Sequence, residues 1–535
     1  MRRWTALCAA VLFLDVSLTF TNVWPTPAIS WRGALSIELA VCLIVLAGAA
    51  RWFGPPSRTM LAALSAMWIA LVVGRYAEVT APALYGREVN LYWDLRLMPD
   101  VAAMVTRVAS GWLIVLVFVV IAAFFWILYR GTRWAWHRVG DGLSDATARR
   151  VLVGFAVLTM AVFIGERLLG RTSSVPGEIE AHLFTPTPVT YTFARQAHLV
   201  GAALSRSRTL AESPSMESDF AAVSGADIFL IFIESYGAVS YDRPAFAAAL
   251  TASRARLDDA IHATGRGVVS AFVESPTFGG GSWLAHLSLL SGIEVRDPDT
   301  NFLLMTENRD TLARSLGRRG FRTVALMPGL RQSWPEGSFY GFDEIYSADR
   351  LAYRGPEFGW FAIPDQFSLD RLDALEVSRP SRRPLFVFFP TISTHFPFSP
   401  TPPYQPDWRR LTDARPYDPA AIVRAYARQP DWTNFGPGYV EAMAYDFATI
   451  EGYVRRRADR DFVMILIGDH QPPAAVSGEG ASWDVPVHVI ASRPQLLDAL
   501  AARGFREGLT PARPPLARMH ALLVVLLDAF GDRLN

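Results

Sequence analysis

The chain has 535 residues, of which 51% are hydrophobic and only 19% are charged, and this composition is too apolar for an ordinary soluble protein or a disordered chain. The formal net charge of +1 excludes a global positive field of the kind that favours nucleic acid. The two cysteines, Cys8 and Cys42, lie in apolar stretches, where they cannot build a disulfide framework or a cysteine-based zinc site.

The apolar residues concentrate in the first third of the chain. Five segments there have about the length that a helix needs to cross a bilayer: residues 5–24, 33–50, 59–75, 109–129 and 151–169. The third and fifth segments are shorter, and a re-entrant or interfacial helix is the alternative for each. The first segment could be a signal peptide, but it lacks a small-residue cleavage site before Trp24 and four more segments follow it. The sequence therefore predicts a transmembrane region of five spans over residues 1–171.

The arginines in the connections predict the orientation of this region. The N-terminus and the connections after the second and fourth spans hold nine arginines, whereas the opposite set holds five, in longer loops that also carry acidic residues. Short cytoplasmic loops are enriched in basic residues, so the N-terminus is predicted to lie inside the cell. Five spans then place everything after about residue 172 outside the cytoplasm.

The character of the chain changes after the last apolar segment. Residues 172–225 contain several prolines and serines, which predicts a linker with surface helices, one of them over 192–211. From 226 to 535, runs typical of buried strands occur at 226–235, 267–275, 321–328, 384–393, 461–470 and 485–492. Helical patterns cover 246–264, 282–292 and 439–458. This alternation predicts an α/β domain over 226–535 with a mostly parallel sheet and helices on both faces.

Two of the predicted strands end in residues that can bind a metal ion. The run IFLIFIE ends in Glu234, and FVMILIG is followed by Asp469 and His470. Ligands of such sheets bind beyond the carboxyl ends of the strands, so these side chains are expected at the same edge. Two carboxylates and an imidazole suit a divalent cation. Taken singly, each has an ordinary explanation, as a solvated acid after a strand or as a common Gly-Asp-His turn.

A hydroxyl group follows a glycine-rich loop in the stretch TFGGGSWLAHLSLLSG. Gly279–Gly281 allow close approach of the backbone to a ligand, and Ser282 then lies near a helix N-terminus, where free N–H groups favour an anion. Next to a divalent cation, such a hydroxyl can ionise and attack phosphorus. The alternative is that Ser282 only caps the helix. Thr277, the other hydroxyl of the loop, is the second candidate nucleophile.

The order of these motifs resembles a known group of enzymes. IESYG, the glycine-rich loop, STHFPF and GDHQPP occur in the order seen in the sulfatase-like branch of the alkaline-phosphatase superfamily. The greater similarity is to lipoteichoic acid synthases, phosphoglycerol transferases and phosphoethanolamine transferases of bacterial envelopes. Those enzymes also carry five N-terminal spans and one extracytoplasmic catalytic domain. The resemblance implies a multi-pass protein of the bacterial inner membrane with a sulfatase-like α/β domain outside the cytoplasm.

The resemblance also implies roles for individual residues. Four positions match the metal ligands of these enzymes: Glu234, Ser282, Asp469 and His470. Ser282 matches the nucleophile as well, and His395 matches the histidine that contacts the substrate phosphate or the leaving group. Arg331 and Trp334 fall where the family places substrate-binding side chains. A packed loop histidine at 395 and a solvated arginine at 331 are the alternatives.

The sequence departs from the family pattern at the nucleophile. The related transferases usually have threonine where this chain has Ser282, which keeps Thr277 open as the alternative. The loop sequence ESPTFGG is not the Cys/Ser-x-Pro-x-Arg motif that sulfatases convert to formylglycine. Sulfate-ester hydrolysis at this loop therefore lacks its usual chemistry. The expected cofactor is one divalent metal ion, and two carboxylates, an imidazole and a hydroxyl suit manganese, zinc and magnesium alike.

Together these features predict a membrane-anchored phospho-alcohol transferase. The donor would be a phospholipid that supplies phosphoglycerol or phosphoethanolamine, and the acceptor a glycan or lipid of the cell envelope, with a phospho-Ser282 or phospho-Thr277 intermediate. The alternative is a membrane-bound hydrolase of phosphate or sulfate esters that uses the same site with water as the acceptor. A transporter or envelope scaffold with an inactive outer domain is a third hypothesis, and the intact set of candidate ligands weighs against it. No nucleic acid partner is expected.

The predicted orientation can be tested with reporter fusions. A reporter that works only outside the cytoplasm, fused after Asn535, is expected to be active because five spans and the arginine distribution place the C-terminal domain there. Activity of a cytoplasm-only reporter at the same position would contradict the orientation.

Overall fold

The computed structural model describes residues 2–86, 88–108, 111–170, 185–204, 210–331 and 334–531. The chain divides into two compact units, Met1–Ser207 and Arg208–Asn535. The helices of the first unit are α1 (Arg2–Thr19), α2 (Ile37–Phe53), α3 (Arg58–Tyr85), α4 (Leu91–Val108), α5 (Gly111–Ser144), α6 (Ala146–Gly170) and α7 (Val189–Leu204). Strands β1 (Phe20–Asn22) and β2 (Ile29–Trp31) form an antiparallel pair between α1 and α2.

Each of the five apolar segments overlaps a helix of the first unit, but not all of these helices qualify as spans. Among the described residues, three helices are long and apolar enough to cross a membrane: Arg58–Tyr85, Gly111–Ser144 and Ala146–Leu168. Helix α1 has 18 residues and includes Arg2, Arg3 and Asp15, and α2 has 17 residues. The structure thus supports three of the five predicted spans by length and composition. Helix α4 was not predicted, because Pro99 and its charged residues interrupt the apolar pattern.

Large aromatic side chains and glycines join the helices of the first unit. Trp68 of α3 and Trp136 of α5 are fully buried and meet edge to face, with ring centroids 5.2 Å apart. The indole N–H of Trp68 also donates to Ser17 of α1, at 2.9 Å. A side chain at Gly131 would press on the ring of Phe13, so the absence of one allows α5 to approach α1 closely.

The second unit is built on an eight-stranded sheet. Its strands are β3 (Asp227–Ile233), β4 (Gly267–Glu274), β5 (Arg322–Met327), β6 (Glu344–Ser347), β7 (Leu385–Pro390), β8 (Phe462–Gly468), β9 (Asp484–Ala491) and β10 (Arg506–Glu507). The order across the sheet is β10-β4-β9-β8-β3-β7-β5-β6. All six predicted strands are present, and the sequence analysis missed the short strands β6 and β10.

The sheet is mixed, with four parallel pairings among seven, and the sequence analysis did not foresee its antiparallel part. Strands β8, β3, β7, β5 and β6 pair in parallel, whereas the pairings of β8 with β9, β9 with β4 and β4 with β10 are antiparallel. Between β8 and β9 the chain forms only a four-residue helix, Ala474–Ser477, which is too short to cover a parallel crossover. Strand β9 therefore returns beside β8 in the opposite direction. Its continuous apolar run gave no sign of this, since every residue of β9 is buried, as in β3.

Helices cover both faces of the sheet. They are α8 (Val239–Asp242), α9 (Pro244–Ala263), α10 (Ser282–Ser291), α11 (Pro298–Thr306), α12 (Leu312–Arg318), α13 (Ala348–Leu351), α14 (Asp365–Leu372), α15 (Pro419–Ala427), α16 (Gly436–Arg456), α17 (Ala474–Ser477), α18 (Pro494–Ala501) and α19 (Met519–Phe530). Side chains of β3 alternate between two cores. Leu230 and Phe232 pack with α10 and α19, and Phe229 and Ile231 pack with α9 and α16.

The predicted linker, residues 172–225, is not one continuous connection. Residues 171–184 and 205–209 lie outside the described residues, and the intervening helix α7 begins and ends earlier than the predicted 192–211. After residue 210 the chain contributes to the second unit. Met216, Phe220 and Val223 are buried in one of its two cores. These three side chains belong to the hydrophobic core rather than to an exposed connection.

Two glycines allow the loops after β3 and β8 to touch. A Cβ atom on Gly468 would overlap the carbonyl oxygen of Tyr236, and one on Gly237 would overlap the side chain of Gln471. Real Cβ atoms do not approach backbone oxygen this closely, so one of the two loops would have to move. The absence of a side chain at 468 therefore sets how closely the ends of the two strands can approach.

Gly468→Ala is expected to destabilise the second unit by about 3 kcal/mol or more, because the added methyl displaces a buried loop. Gly317→Ala is the matched control: it lies within α12, and its Cβ would meet only Thr323 at 3.8 Å, an ordinary contact. This control is expected to leave the free energy of unfolding unchanged or to raise it by up to about 1 kcal/mol. Denaturant unfolding measures both. Equal effects of the two substitutions would contradict the assigned contact.

Candidate functional site

The candidate site begins with the register of two neighbouring strands. In the parallel pair β3–β8, Ile233 lies opposite Gly468. The next residue of each strand is an acid, so Glu234 and Asp469 leave the sheet side by side at its carboxyl edge. Because His470 follows Asp469, the pairing brings all three side chains together, as the sequence analysis expected.

Glu234, Asp469 and His470 form one tight cluster. Nε2 of His470 lies 3.4 Å from Oε1 of Glu234 and 3.5 Å from Oδ2 of Asp469. One ligand atom from each residue lies within 4.8 Å of the other two. All three are buried or nearly so, with Glu234 the most exposed at 8%. Among the described residues, no other group of three or more histidine, cysteine, aspartate or glutamate side chains is close enough together to hold a metal ion.

Hydrogen bonds to the backbone fix the direction of each ligand atom. Nδ1 of His470 donates to the carbonyl oxygen of Gln471 at 2.7 Å, so Nε2 is the ring nitrogen that faces the carboxylates. Oδ1 of Asp469 accepts from the backbone N–H groups of Ser235, at 2.8 Å, and His470, at 2.7 Å. Oδ2 of Asp469 is buried and has no hydrogen-bond donor in the described part of the chain. A buried oxygen without a donor, beside an imidazole nitrogen that faces two carboxylates, fits a cation ligand set.

The electrostatics of the cluster also favour a cation. Burial and the adjacent Glu234 carboxylate raise the pKa of Asp469. Burial opposes the charge of His470, but the two carboxylates outweigh it and raise the pKa of this histidine. Asp469 and His470 therefore tend to retain protons in this buried site in the absence of a stronger positive charge. A divalent cation would supply that charge in place of the protons.

Ser282 joins this cluster from a different element. Its Oγ donates to Oε2 of Glu234 at 2.9 Å and lies 3.2 Å from Nε2 of His470. Ser282 is the first residue of α10, and Gly281 before it adopts a left-handed conformation with φ 79° that favours glycine. The glycine loop thus delivers the hydroxyl to the cluster at the amino end of a ten-residue helix.

Thr277, the alternative nucleophile, has a different environment. Its hydroxyl donates to the carbonyl oxygen of Gly280, and its backbone N–H donates to Ser275. These bonds close the loop on itself. No contact of the Thr277 hydroxyl with Glu234 or His470 occurs among the residues that the structure describes. The geometry therefore favours Ser282 over Thr277 as the hydroxyl of the site.

His395 lies on the loop after β7 and is half-buried. Its Nδ1 donates to the carbonyl oxygen of Phe396 at 2.7 Å, and its ring meets Phe361 edge to face with centroids 5.0 Å apart. His395 is close enough to lower the pKa of Glu234, although burial and His470 affect that carboxylate more strongly. The structure thus places His395 near the cluster, with Nε2 as the ring nitrogen that remains for a ligand.

The two predicted substrate-binding residues after β5 behave differently. Arg331 is exposed and donates to the carbonyl oxygen of Trp360 at 3.3 Å, and Trp360 precedes the Phe361 that contacts His395. Arg331 therefore contacts the segment that packs against His395. Trp334 packs on Tyr340, with ring centroids 5.3 Å apart, at the margin of a hydrophobic core. Within the described ranges, no contact joins Trp334 to the cluster.

Two further histidines are packing residues. His286, one turn after Ser282, meets the rings of Phe232 and Phe388, and burial lowers its pKa to about 3. His488 on β9 bonds Ser270 through Nδ1 and Tyr236 through Nε2, and burial lowers its pKa to about 3. Both are neutral at pH 7.

Three polar residues near the site were not identified from the sequence. Thr391 accepts from the backbone N–H of Glu234 at 3.1 Å and donates to Asp446, also at 3.1 Å. Asp365 accepts from the backbone of the segment that carries His395. Asp446 had one available signal, since it is an acid within the apolar stretch AMAYDFATI of a long helix. Asp365 and Thr391 had none that separated them from ordinary loop residues.

One stretch elsewhere does fit the Cys/Ser-x-Pro-x-Arg pattern, Ser378 to Arg382. Arg382 pairs with Asp227, the first residue of β3, through two oxygens of the carboxylate. The stretch therefore lies at the amino edge of the sheet, opposite the cluster that follows the carboxyl end of β3. The pattern alone does not make it part of the candidate site.

Comparisons with known proteins give structural similarities only. No family model matches the sequence, and no curated protein matches it. The lipoteichoic acid synthase LtaP from Listeria monocytogenes is 13% identical over 52% of this chain and 68% of its own, with a TM-score of 0.36. The C-terminal periplasmic domain of EcEptC from Escherichia coli, also solved in complex with Zn, is 13% identical over 53% of this chain and 76% of its own, with a TM-score of 0.32.

The phosphoglycerol transferase GacH from Streptococcus pyogenes, solved in complex with sn-glycerol-1-phosphate, is a further similar structure. It is 10% identical over 58% of this chain and 76% of its own, with a TM-score of 0.36.

Asp469→Asn is expected to weaken the binding of Zn²⁺ or Mn²⁺ by on the order of 100-fold, because a neutral amide replaces a charged ligand atom. Asp459→Asn is the matched control, since Asp459 is an exposed acid that pairs only loosely with Arg460, at 3.7 Å. Isothermal titration of metal into chelator-treated protein gives both affinities. Unchanged affinity in Asp469→Asn would show that the cluster does not bind the metal.

Proposed function

We propose that the protein is a membrane-anchored, metal-dependent transferase that moves phosphoglycerol or phosphoethanolamine from a phospholipid to an envelope glycan or lipid. The observation that carries this proposal is the position of the Ser282 hydroxyl, which lies within hydrogen-bond distance of both Glu234 and His470 at the amino end of α10. A nucleophile, its proton acceptor and an anion-favouring helix end meet at one point. This combination suits attack on a phosphate ester.

The residues fit one divalent cation. Its ligands would be Glu234, Ser282, Asp469 and His470, and manganese, zinc or magnesium would each suit this donor set. When bound, such a cation lowers the pKa of the serine hydroxyl and neutralises negative charge that develops on the phosphoryl oxygens. Oδ2 of Asp469, which has no donor among the described residues, and Nε2 of His470, which faces both carboxylates, support this ligand set.

The first half of the reaction is attack by Ser282. Oγ forms a bond to phosphorus while the bond from phosphorus to the diacylglycerol oxygen breaks. The Oγ proton passes towards Oε2 of Glu234, the atom to which it already donates. The departing diacylglycerol oxygen takes up a proton, for which Nε2–H of a protonated His395 is the candidate donor, and this leaves His395 neutral for the second half. The products are diacylglycerol and an intermediate in which phosphoglycerol or phosphoethanolamine is esterified to Oγ of Ser282.

The second half reverses these roles. A hydroxyl of the acceptor attacks phosphorus, the bond from phosphorus to Oγ breaks, and Ser282 regains a proton. His395 is placed to accept the proton of the incoming hydroxyl by microscopic reversibility. The guanidinium of Arg331, which contacts the segment that packs against His395, would bind the phosphate or the head group. Water in place of the acceptor would give hydrolysis at the same site.

The membrane region has a physical purpose in this scheme. Five spans with the N-terminus in the cytoplasm would hold the second unit on the outer side of a bacterial inner membrane. Phospholipid donors are concentrated in that membrane, so anchoring raises the local concentration of the donor around the active site. The three helices that qualify as spans support membrane anchoring.

Ser282→Ala is expected to abolish a covalent phospho-adduct, because the only hydroxyl in contact with Glu234 and His470 among the described residues is removed. Ser282→Thr should retain part of the activity, since the hydroxyl remains and only a methyl is added. Thr277→Val is the control within the same loop and should still form the adduct on Ser282. Mass spectrometry after incubation with labelled phosphatidylglycerol or phosphatidylethanolamine identifies the modified peptide and the added group.

An adduct on Thr277, or full transfer by Ser282→Ala, would contradict the assignment of the nucleophile. The acceptor separates the two activities that this site can support. Transfer requires an added glycan or lipid acceptor for turnover, whereas hydrolysis proceeds at the same rate without one.

A further inference from the structure

Two buried aspartates hold the segment that follows β7. Asp365, the first residue of α14, is fully buried and accepts from the backbone N–H groups of Ile392, at 3.0 Å, and Ser393, at 2.7 Å. Both of its carboxylate oxygens serve as acceptors, because Ile392 also lies 3.1 Å from Oδ2. A carboxyl group that accepts from two N–H donors in this way is stabilised in its ionised form.

Asp446 of α16 binds the same segment from the other side. Its Oδ2 accepts from the hydroxyls of Thr391, at 3.1 Å, and Thr394, at 3.4 Å, and the residue is 1% exposed. Its Oδ1 is buried and receives no hydrogen from any described donor. Asp365 and Asp446 thus hold four consecutive residues, 391–394, from two sides, and neither acid forms an ion pair with a described cation. Two buried carboxyls that converge on one short segment favour the protonation of one of them.

These contacts lead directly to the candidate site. The backbone N–H of Glu234 donates to Oγ1 of Thr391, whose own hydroxyl donates to Asp446. The backbone N–H of Thr391 donates to Phe232 of β3 at 2.8 Å. The segment from Thr391 to His395 therefore connects a candidate metal ligand at one end with the candidate proton donor at the other.

We propose that Asp365 and Asp446 share a single proton, carried by Asp446, and act as positioning residues. They hold the segment from Thr391 to His395 and so fix the positions of Glu234 and His395 relative to each other. Asp365 needs its negative charge for the two backbone donors, and the proton on Asp446 removes the repulsion between two buried charges. The inference rests on the proposed function only for its catalytic readout.

The surroundings of the pair agree with this assignment. Burial, and then the negative charge of Asp365, raise the pKa of Asp446 far above its usual range. Burial also raises the pKa of Asp365, to about 6, which leaves it mostly ionised at pH 7. Two catalytic carboxyls can share one proton in the same way. Here, however, the two groups contact backbone N–H groups and threonine hydroxyls rather than the reacting atoms.

The test uses the different protonation states of the two residues, ionised for Asp365 and protonated for Asp446. Asparagine at 446 is uncharged, like the protonated acid, and its oxygen still accepts from both threonines. Asp446→Asn is therefore expected to keep kcat and metal affinity within about threefold of the unmodified protein. Asparagine at 365 turns a donor towards a backbone N–H. Asp365→Asn is expected to lower kcat by about 100-fold with little change in KM.

Metal affinity provides a second readout that does not depend on turnover. Because Thr391 fixes the backbone of Glu234, Asp365→Asn and Thr391→Val are each expected to weaken Zn²⁺ binding by about tenfold. Thr391→Ser should restore the affinity, since it keeps the hydroxyl. Asp370→Asn, on the same helix as Asp365 and paired with Arg456, is the matched control and should change neither quantity.

Thermal unfolding of each variant separates positioning from loss of the fold. The proposal is overturned if Asp365→Asn retains the original kcat and metal affinity, or if Asp446→Asn is folded and as impaired as Asp365→Asn. If Asp365→Asn does not fold, the pair Thr391→Val and Thr391→Ser decides by the same affinities. Absence of transfer in the unmodified protein would count against the proposed function alone, because the order of the zinc affinities would still test the positioning role.

Discussion

The enforced closeness of two buried carboxylates, Glu234 and Asp469, is the constraint on which the rest of the site depends. The register of two adjacent parallel strands places these side chains next to each other. Both are buried, so solvent screens their charges only weakly. Such a pair is stable only with protons or with a cation. His470 and the Ser282 hydroxyl lie beside this pair, so the close carboxylates and these two groups together form the candidate ligand set for a cation.

The elements around Glu234 and Asp469 position these two side chains. Gly468 and Gly237 let the two strand ends approach, and the glycine loop turns the start of α10 towards them. Helices on both faces of the sheet bury its strands and keep the edge rigid. Thr391 ties the backbone of Glu234 to a third strand. A precise ligand geometry of this kind needs support from residues that never touch the ligand.

Much of this arrangement could be predicted from the sequence, because the signals were local. Glu234, Asp469 and His470 each follow an apolar strand, and Ser282 follows three glycines, so their types and positions identified them. The direction of β9 could not be predicted, because a strand buried on both faces has the same pattern either way. Asp365 and Asp446 were missed for a related reason. Their partners lie far away in the sequence, and only the fold brings the two acids together.

The most direct test of the account is the position of the metal itself. Crystals of the full chain grown with Zn²⁺ can be measured at the zinc absorption edge, where an anomalous difference map shows zinc alone. The account predicts one peak with four protein ligands at about 2.0–2.2 Å. Those ligands are a carboxylate oxygen of Glu234, Oγ of Ser282, Oδ2 of Asp469 and Nε2 of His470. A zinc peak elsewhere, with these four side chains unliganded, would contradict the account.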